Sequence, residues 1–263
     1  MSFKESGLYK RIRKLYYFIK NFSINYPKYK NTYKLRPYHN KYKGQRCFVI
    51  GNGPSLRISD LEKIQSKGYK TFCSNRIYKA FSETTWRPDF YFLSDKNLVD
   101  DMEENLREIP IKRRFFPYRI KEAVAEGMLY NELEFDWNTQ SKFSEDAGKG
   151  VYPPGTITVE MMQFAYYMGF AEIYLLGVDF SYEAKKLVTE NSYAYNGENN
   201  YFIKGYMRPG EVSVLPNVVA NLNGFNAARR VIEADGRIVK NATRGGKLEV
   251  FERIDVDKLL GEN

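Results

Sequence analysis

The chain has 263 residues, 43% of them hydrophobic, with a formal net charge of +9 and two cysteines. That length suits one α/β domain with appendages, and the apolar content is ample for a core. No run approaches the roughly 18 apolar residues that span a bilayer, and charges stand where a secretory signal would have its apolar stretch, so a cytoplasmic protein is expected.

The charge is uneven: residues 1–46 hold thirteen Lys or Arg and one acid, Glu5, whereas the remainder holds 28 basic and 31 acidic residues. Residues 1–45 therefore read as a basic extension of a domain spanning 46–263. Within it Leu8, Ile12, Leu15, Ile19 and Phe22 recur at three- and four-residue intervals and share one helical face, while Lys10, Arg11, Arg13, Lys14 and Lys20 fill much of the rest. Such a helix can lie in the headgroup region of an anionic membrane, peripheral on the inner face, with Tyr26 to Lys43 adding further Lys and Tyr. Equally, it can pack on the domain or on another subunit of a homo-oligomer. Nucleic-acid binding is not expected, because no recognition module accompanies the charge.

From Arg46 the pattern changes to apolar runs of about five residues alternating with helical segments, the signature of an α/β fold with a mainly parallel sheet and crossover helices, which the family resemblance given below makes Rossmann-like. Strands are predicted at Cys47 to Ile50, Lys70 to Ser74, Phe90 to Leu93, Arg114 to Phe116 and Ile173 to Leu176. Helices are predicted over Ser55 to Ser66, Asn97 to Glu108, Thr156 to Met168 and Val218 to Ala234. Ser181 to Pro216 is rich in Tyr, Asn, Gly and Lys without clear periodicity and reads as an irregular lid. Cys47 and Cys73 lie inside apolar runs with no Cys-x-x-Cys or His spacing, so buried thiols are expected rather than a disulfide or metal site.

The first strand ends in Gly51-Asn52-Gly53-Pro54-Ser55. Its glycines permit positive φ and close backbone approach, Pro54 and Ser55 can begin a helix, and free N–H groups there would face a phosphate. The alternative is a tight strand-to-helix turn. The loop is neither a dinucleotide fingerprint nor a P-loop: Leu56 stands in place of the third glycine, and no Gly-Lys-Ser/Thr follows. Asn75, past the second strand, and Ser94 with Asp95, past the third, belong to the same carboxyl edge, where open α/β folds place ligands; singly, each also suits a helix cap. Thr156 and Thr158 open a helix with hydroxyls placed for an anion or for an N-cap. Asp179, after the strand ending at Leu176, is an acid at the same edge or a turn-stabilising residue.

His39 is the only histidine and lies in the basic N-terminal region, so proton transfer falls to carboxylates, Tyr or the substrate unless that segment folds back. Near the C-terminus, Gly245-Gly246 between two short apolar runs predicts a hairpin turn, and Arg244 and Lys247 serve either that turn or an anionic ligand.

Together Gly51-Asn52-Gly53-Pro54-Ser55, Cys73-Ser74-Asn75, Ile173 to Phe180 and Asn241 to Phe251 resemble the bacterial CMP-sialic-acid-dependent sialyltransferases and the related archaeal 6-hydroxymethylpterin pyrophosphokinase-like family, the last motif resembling the latter branch closely. The resemblance implies that Asn52 and Asn75 bind the nucleotide, that Thr156 and Thr158 lie beside the donor, and that Tyr182 or Tyr193 approaches its phosphate. It also implies metal-independent chemistry with a histidine as acceptor base after the mobile loop. Here Glu198-Asn199-Asn200-Tyr201-Phe202 carries no histidine, so either another group activates the acceptor, with Asp179 first and Tyr201 second, or the chemistry differs.

The expected function is transfer of a sugar from a nucleotide-activated donor, CMP-linked, to a glycan or lipid-linked acceptor, with no cofactor beyond that donor. The alternatives are a Mg-ATP-dependent pyrophosphokinase with Asp95 and Asp179 holding the metal, and a non-catalytic nucleotide-binding module.

Overall fold

Seven parallel strands form the sheet, and they are short apolar runs whose alternate residues face opposite layers. The computed structural model describes residues 14–16, 31–99, 109–124, 126–134, 142–153, 155–183 and 186–261. The strands are β1 (Arg46–Ile50), β2 (Lys70–Ser74), β3 (Phe90–Phe92), β4 (Arg114–Pro117), β5 (Met128–Tyr130), β6 (Glu172–Leu176) and β10 (Ile238–Asn241), in the order β10-β6-β1-β2-β3-β4-β5. All five predicted strands are present. β5 was not expected, because Met128–Tyr130 is too short to show a period.

Cys47 and Val49 face one layer, with β3's Phe90 and Phe92, and pack against helices α2 (Ile157–Tyr167) and α3 (Val218–Ala234). Phe48 and Ile50 face the other, against α1 (Ile58–Ser66), Trp86 and the short C-terminal α4 (Val256–Leu259). The first layer is aromatic: Phe92 stacks on Phe115 at 4.7 Å, and Phe164 of α2 closes on both rings.

Basic segment and domain share a core. Leu35 and Tyr42 are buried in the first layer, where Tyr42 stacks on Phe170 at 5.0 Å, so packing on the sheet begins well before residue 46. Of the amphipathic helix only 14–16 are described, helical with Leu15 exposed; Leu8, Ile12, Ile19 and Phe22 lie outside the described residues. The helix predicted over Asn97 to Glu108 is described only at 96–99.

The segment Ser181 to Pro216 is more regular than expected. It contains an antiparallel sheet of β7 (Leu187–Thr189), β8 (Ser192–Ala194) and β9 (Val212–Val214). Three-residue strands with two exposed outer members give too little alternation to read from sequence.

No hairpin forms at Gly245-Gly246; among the described residues the flanking runs make one isolated parallel bridge, Asn241 to Arg253. Side chains organise the turn instead. Asn241 accepts from Thr243 N and donates to Leu248 O, and Arg253 donates to the carbonyls of Thr243, Gly245 and Gly246. Arg244 forks onto Asp60 of α1 at 2.7 and 2.9 Å and also meets Asp257, which settles its structural role. Asp60 is 1% exposed, so Arg244→Ala strands a buried carboxylate. Partial exposure of the arginine tempers the loss, and thermal unfolding should show a destabilisation of about 2 kcal/mol. An unchanged melting temperature would show that the fork contributes nothing.

Candidate functional site

The chain runs outward from β1 to β5, then returns through α2 to place β6 on β1's other side. The sheet order therefore reverses between β1 and β6, the point where doubly wound sheets open a crevice at their carboxyl ends. A cleft occupies that place, walled by Gly51 to Pro54 after β1, Asn75 after β2, Val178 to Tyr182 after β6 and the start of α2.

The glycines do something other than what the loop's sequence promises. Gly51 N donates to Leu176 O at 2.8 Å and Gly53 N to Gly177 O at 2.9 Å, so these donors bind the β6 turn and are not free for a phosphate. A Cβ on Gly51 would stand 2.2 Å from Gly177 O, and one on Gly53 1.9 Å from the Asp179 carboxylate. The two turns cross in backbone contact, and glycine is required for that approach. Ser55 is likewise committed: its Oγ donates to Asp179 Oδ2 at 2.8 Å.

What the cleft offers a ligand are side chains. Asn52 Nδ2 donates to Ser74 O at 3.2 Å, tying the ends of β1 and β2, and its Oδ1 is buried with no hydrogen-bond partner among the described residues. An unsatisfied buried acceptor costs about 1–3 kcal/mol, a cost that a donating group on a ligand would remove after a small loop adjustment. Asn75 adopts φ +55°, a left-handed conformation that asparagine tolerates better than most residues, and Tyr91 Oη pins its carbonyl at 2.7 Å. Thr156 lines the cleft and also caps α2, accepting from Thr158 N at 3.3 Å; the positive end of that helix faces the cavity.

Asp179 is buried, which raises its carboxyl above the usual range, while the two Ser55 hydrogen bonds pull it back. The C-terminal motif buttresses its turn: Thr243 accepts from Val178 N, Lys247 N donates to Asp179 O, and Gly246 packs on the Asp179 backbone. The next residue, Phe180, is held at φ +53°.

From the lid come Tyr182, half-exposed at the mouth, and Asn200, which accepts from Glu183 N and donates to Glu183 O. Tyr201 stacks on Tyr206 at 4.0 Å, and burial, reinforced by Tyr193, drives its phenol far above the ordinary value. A phenol so displaced stays protonated near neutrality. Tyr193 is buried behind Tyr201 and does not line the cleft. His39 stands beside Tyr167, at the far end of an 11-residue helix from Thr156. That is roughly 16 Å of helix, so the histidine does not fold back to the site.

Ser94 and Asp95 belong to adjoining clefts. Both line a cavity of about 500 Å³ that meets the first at Thr156 and Ile157. Asp95 also reaches a third cleft, beside Arg76 and Glu211, and caps the next turn through Asn97 N at 2.9 Å.

The second cavity holds a residue that the sequence reading passed over, Glu160. It is 3% exposed and carries the only acid in α2, whose remaining residues are apolar or uncharged. Tyr130 Oη donates to it. Burial pushes its carboxyl up to about 7; Glu132 adds to the shift, whereas Tyr130, Arg119 and Ser94 oppose it. A lone carboxylate in an otherwise apolar helix is a signal that could have found it.

Fold and cleft define a Rossmann-like α/β protein with a cleft at the topological switch point. The chain belongs to the family described as 6-hydroxymethylpterin diphosphokinase MptE-like, whose model matches residues 20–185, more than half its length. No curated protein matches it by sequence. Among solved structures it is similar to the MAf glycosyltransferase from Magnetospirillum magneticum AMB-1, at 17% identity and a TM-score of 0.50, over 88% of this chain and 39% of that one. At that identity the likeness is one of fold, and the chain spans about two fifths of that protein's length. No helix among the described residues is long and apolar enough to cross a membrane.

Proposed function

We propose that the protein transfers a sugar from a nucleotide-activated donor, CMP-linked, to a glycan or lipid-linked acceptor at the inner face of the cytoplasmic membrane. The observation that carries this reading is the pair Asn52 and Asn75 on adjacent strand ends, with Asn52 Oδ1 unpaired and the N-terminus of α2 opposite. An amide acceptor suits a base amine or a ribose hydroxyl, and the helix end suits a phosphate. Tyr182 at the mouth would approach that phosphate. The likeness in fold to a protein described as a glycosyltransferase supports the same reading.

The family description supports a second reading, pyrophosphoryl transfer from Mg-ATP. Against it, Asp179 lines the switch-point cleft and bonds Ser55, whereas Asp95 lines the neighbouring clefts, so the two carboxylates do not share a cavity.

Thermal unfolding with CMP, CDP, UDP, GDP and ATP, each with and without Mg²⁺, separates the readings. CMP should stabilise the protein without metal, by about 2.7 kcal/mol at one hundred times Kd. Asn52→Ala and Asn75→Ala should lose most of that gain, measured against each variant's own ligand-free melting temperature, which the lost Ser74 bond or the left-handed backbone lowers by about 1 kcal/mol. Stabilisation by Mg-ATP alone would replace the first reading with the second, and no response to any nucleotide would leave a non-catalytic module.

The membrane part of the proposal rests on the basic segment. Since Leu35 and Tyr42 are core residues, the informative deletion is residues 1–30. It should abolish sedimentation with phosphatidylserine vesicles at low salt, whereas the full chain should bind and be released as salt screens the attraction. A full chain that ignores such vesicles would return the segment to a packing role.

A further inference from the structure

The cavity beside the nucleotide cleft is larger than that cleft and differently built. Ser94 and Asp95 after β3, Lys96, Arg119 after β4, Glu132 after β5 and Glu160 of α2 all line it, and it shares Thr156 and Ile157 with the first. A group bound at the α2 N-terminus would thus face both spaces. Arg119 is held by Glu132, with Nε 3.0 Å from one carboxylate oxygen. Glu160 has no such partner: among the described residues no Lys or Arg forms an ion pair with it, and its hydrogen bond comes from the hydroxyl of Tyr130, with Ser94 on the same cavity wall. A buried carboxyl held by one neutral hydroxyl is fixed in place yet free to take a proton.

We propose that this cavity is the acceptor subsite for a hydroxyl-bearing, polar acceptor, and that Glu160 is the general base that activates it. The inference rests on the donor reading above. In the step, the acceptor oxygen forms a bond to the anomeric carbon of the donor while the bond from that carbon to the phosphate oxygen breaks. The leaving nucleotide keeps the electron pair, and the acceptor's proton passes to the Glu160 carboxylate. Tyr130 orients that carboxylate as a positioning residue, and Asp95, Lys96, Arg119 and Glu132 give the cavity the polar walls that suit a hydroxylated acceptor. This assigns the base to a helix of the rigid scaffold, in a chain whose lid supplies no histidine and whose Tyr201 phenol is held protonated.

The test uses the full chain with CMP-N-acetylneuraminate as donor and water or lactose as acceptor, following CMP release. Glu160→Gln should slow release by about 100-fold or more, within the range of general-base catalysis, while CMP still raises the melting temperature as in the wild type. Glu160→Asp should recover part of the rate, and the wild-type rise in rate through neutral pH should be absent from Glu160→Gln. Release by Glu160→Gln at the wild-type rate, with CMP binding intact, would overturn the role of Glu160 and leave the donor reading standing. A wild-type protein that neither binds CMP nor releases it would overturn the donor reading, and this inference with it.

Discussion

Gly51→Ala should abolish nucleotide binding and destabilise the fold by about 3 kcal/mol or more, the upper end of what overpacking costs. The reason is geometric: the added Cβ would meet Gly177 O at 2.2 Å and Gly177 C at 2.8 Å, both backbone atoms that cannot rotate aside. Relief requires the β1 and β6 turns to separate. That would break Gly51 N to Leu176 O and Gly53 N to Gly177 O, and would draw Ser55 from Asp179. Gly44→Ala makes the comparison, because Gly44, unlike Gly51, sits at positive φ and a Cβ there meets nothing within 4 Å. It should cost only its local backbone strain, about 1 kcal/mol, and leave nucleotide binding unchanged. Calorimetry and a CMP titration on both variants decide the matter, and a Gly51→Ala protein that melts and binds like the wild type would remove the crossing of the two turns as the basis of the cleft.

The same glycines show where sequence reading succeeds and stops. β1, β2 and β6 are legible because each runs from one charged residue into four uncharged ones, largely apolar, and stops at Gly or Ser, which leaves little choice but buried parallel strands. Their common edge then follows from topology, which is why Asn52, Asn75, Thr156 and Asp179 fall around one cleft. The use made of each residue is set by partners distant in the chain. Gly51 reads as a phosphate loop until Gly177 is seen against it, and Arg244, read first as part of a turn, keeps an anion ligand as its alternative until Asp60, 184 positions away, takes up its guanidinium. Ser94 lies at the expected edge yet opens on the neighbouring cavity, because β3 is one strand further from the switch point. β7, β8 and β9 escape notice since three residues cannot display a period.

Glu160→Gln should make the protein's stability less dependent on pH, with a direction fixed by the carboxyl's environment. Burial, with Glu132 adding and Tyr130, Arg119 and Ser94 opposing, puts its folded pKa at about 7 against an ordinary 4.5. The folded state therefore holds a proton that the unfolded chain has already released between those values, so stability falls as pH rises through that window. The protonated carboxyl is fully favourable below about pH 4.5, and the cost is complete above about pH 7, amounting to about 3 kcal/mol. Gln keeps the size and an acceptor for Tyr130 Oη but does not titrate. Melting temperatures of the two proteins should therefore converge toward pH 5 and diverge toward pH 8, the variant gaining by roughly 6 to 10 °C for a chain of this size. Parallel curves over that range would mean that Glu160 is ionised without penalty, through solvent or a cation reaching its cavity. The expected divergence would identify a carboxylate that lowers stability where it sits, and a residue kept at such a cost belongs to a working site more readily than to a core.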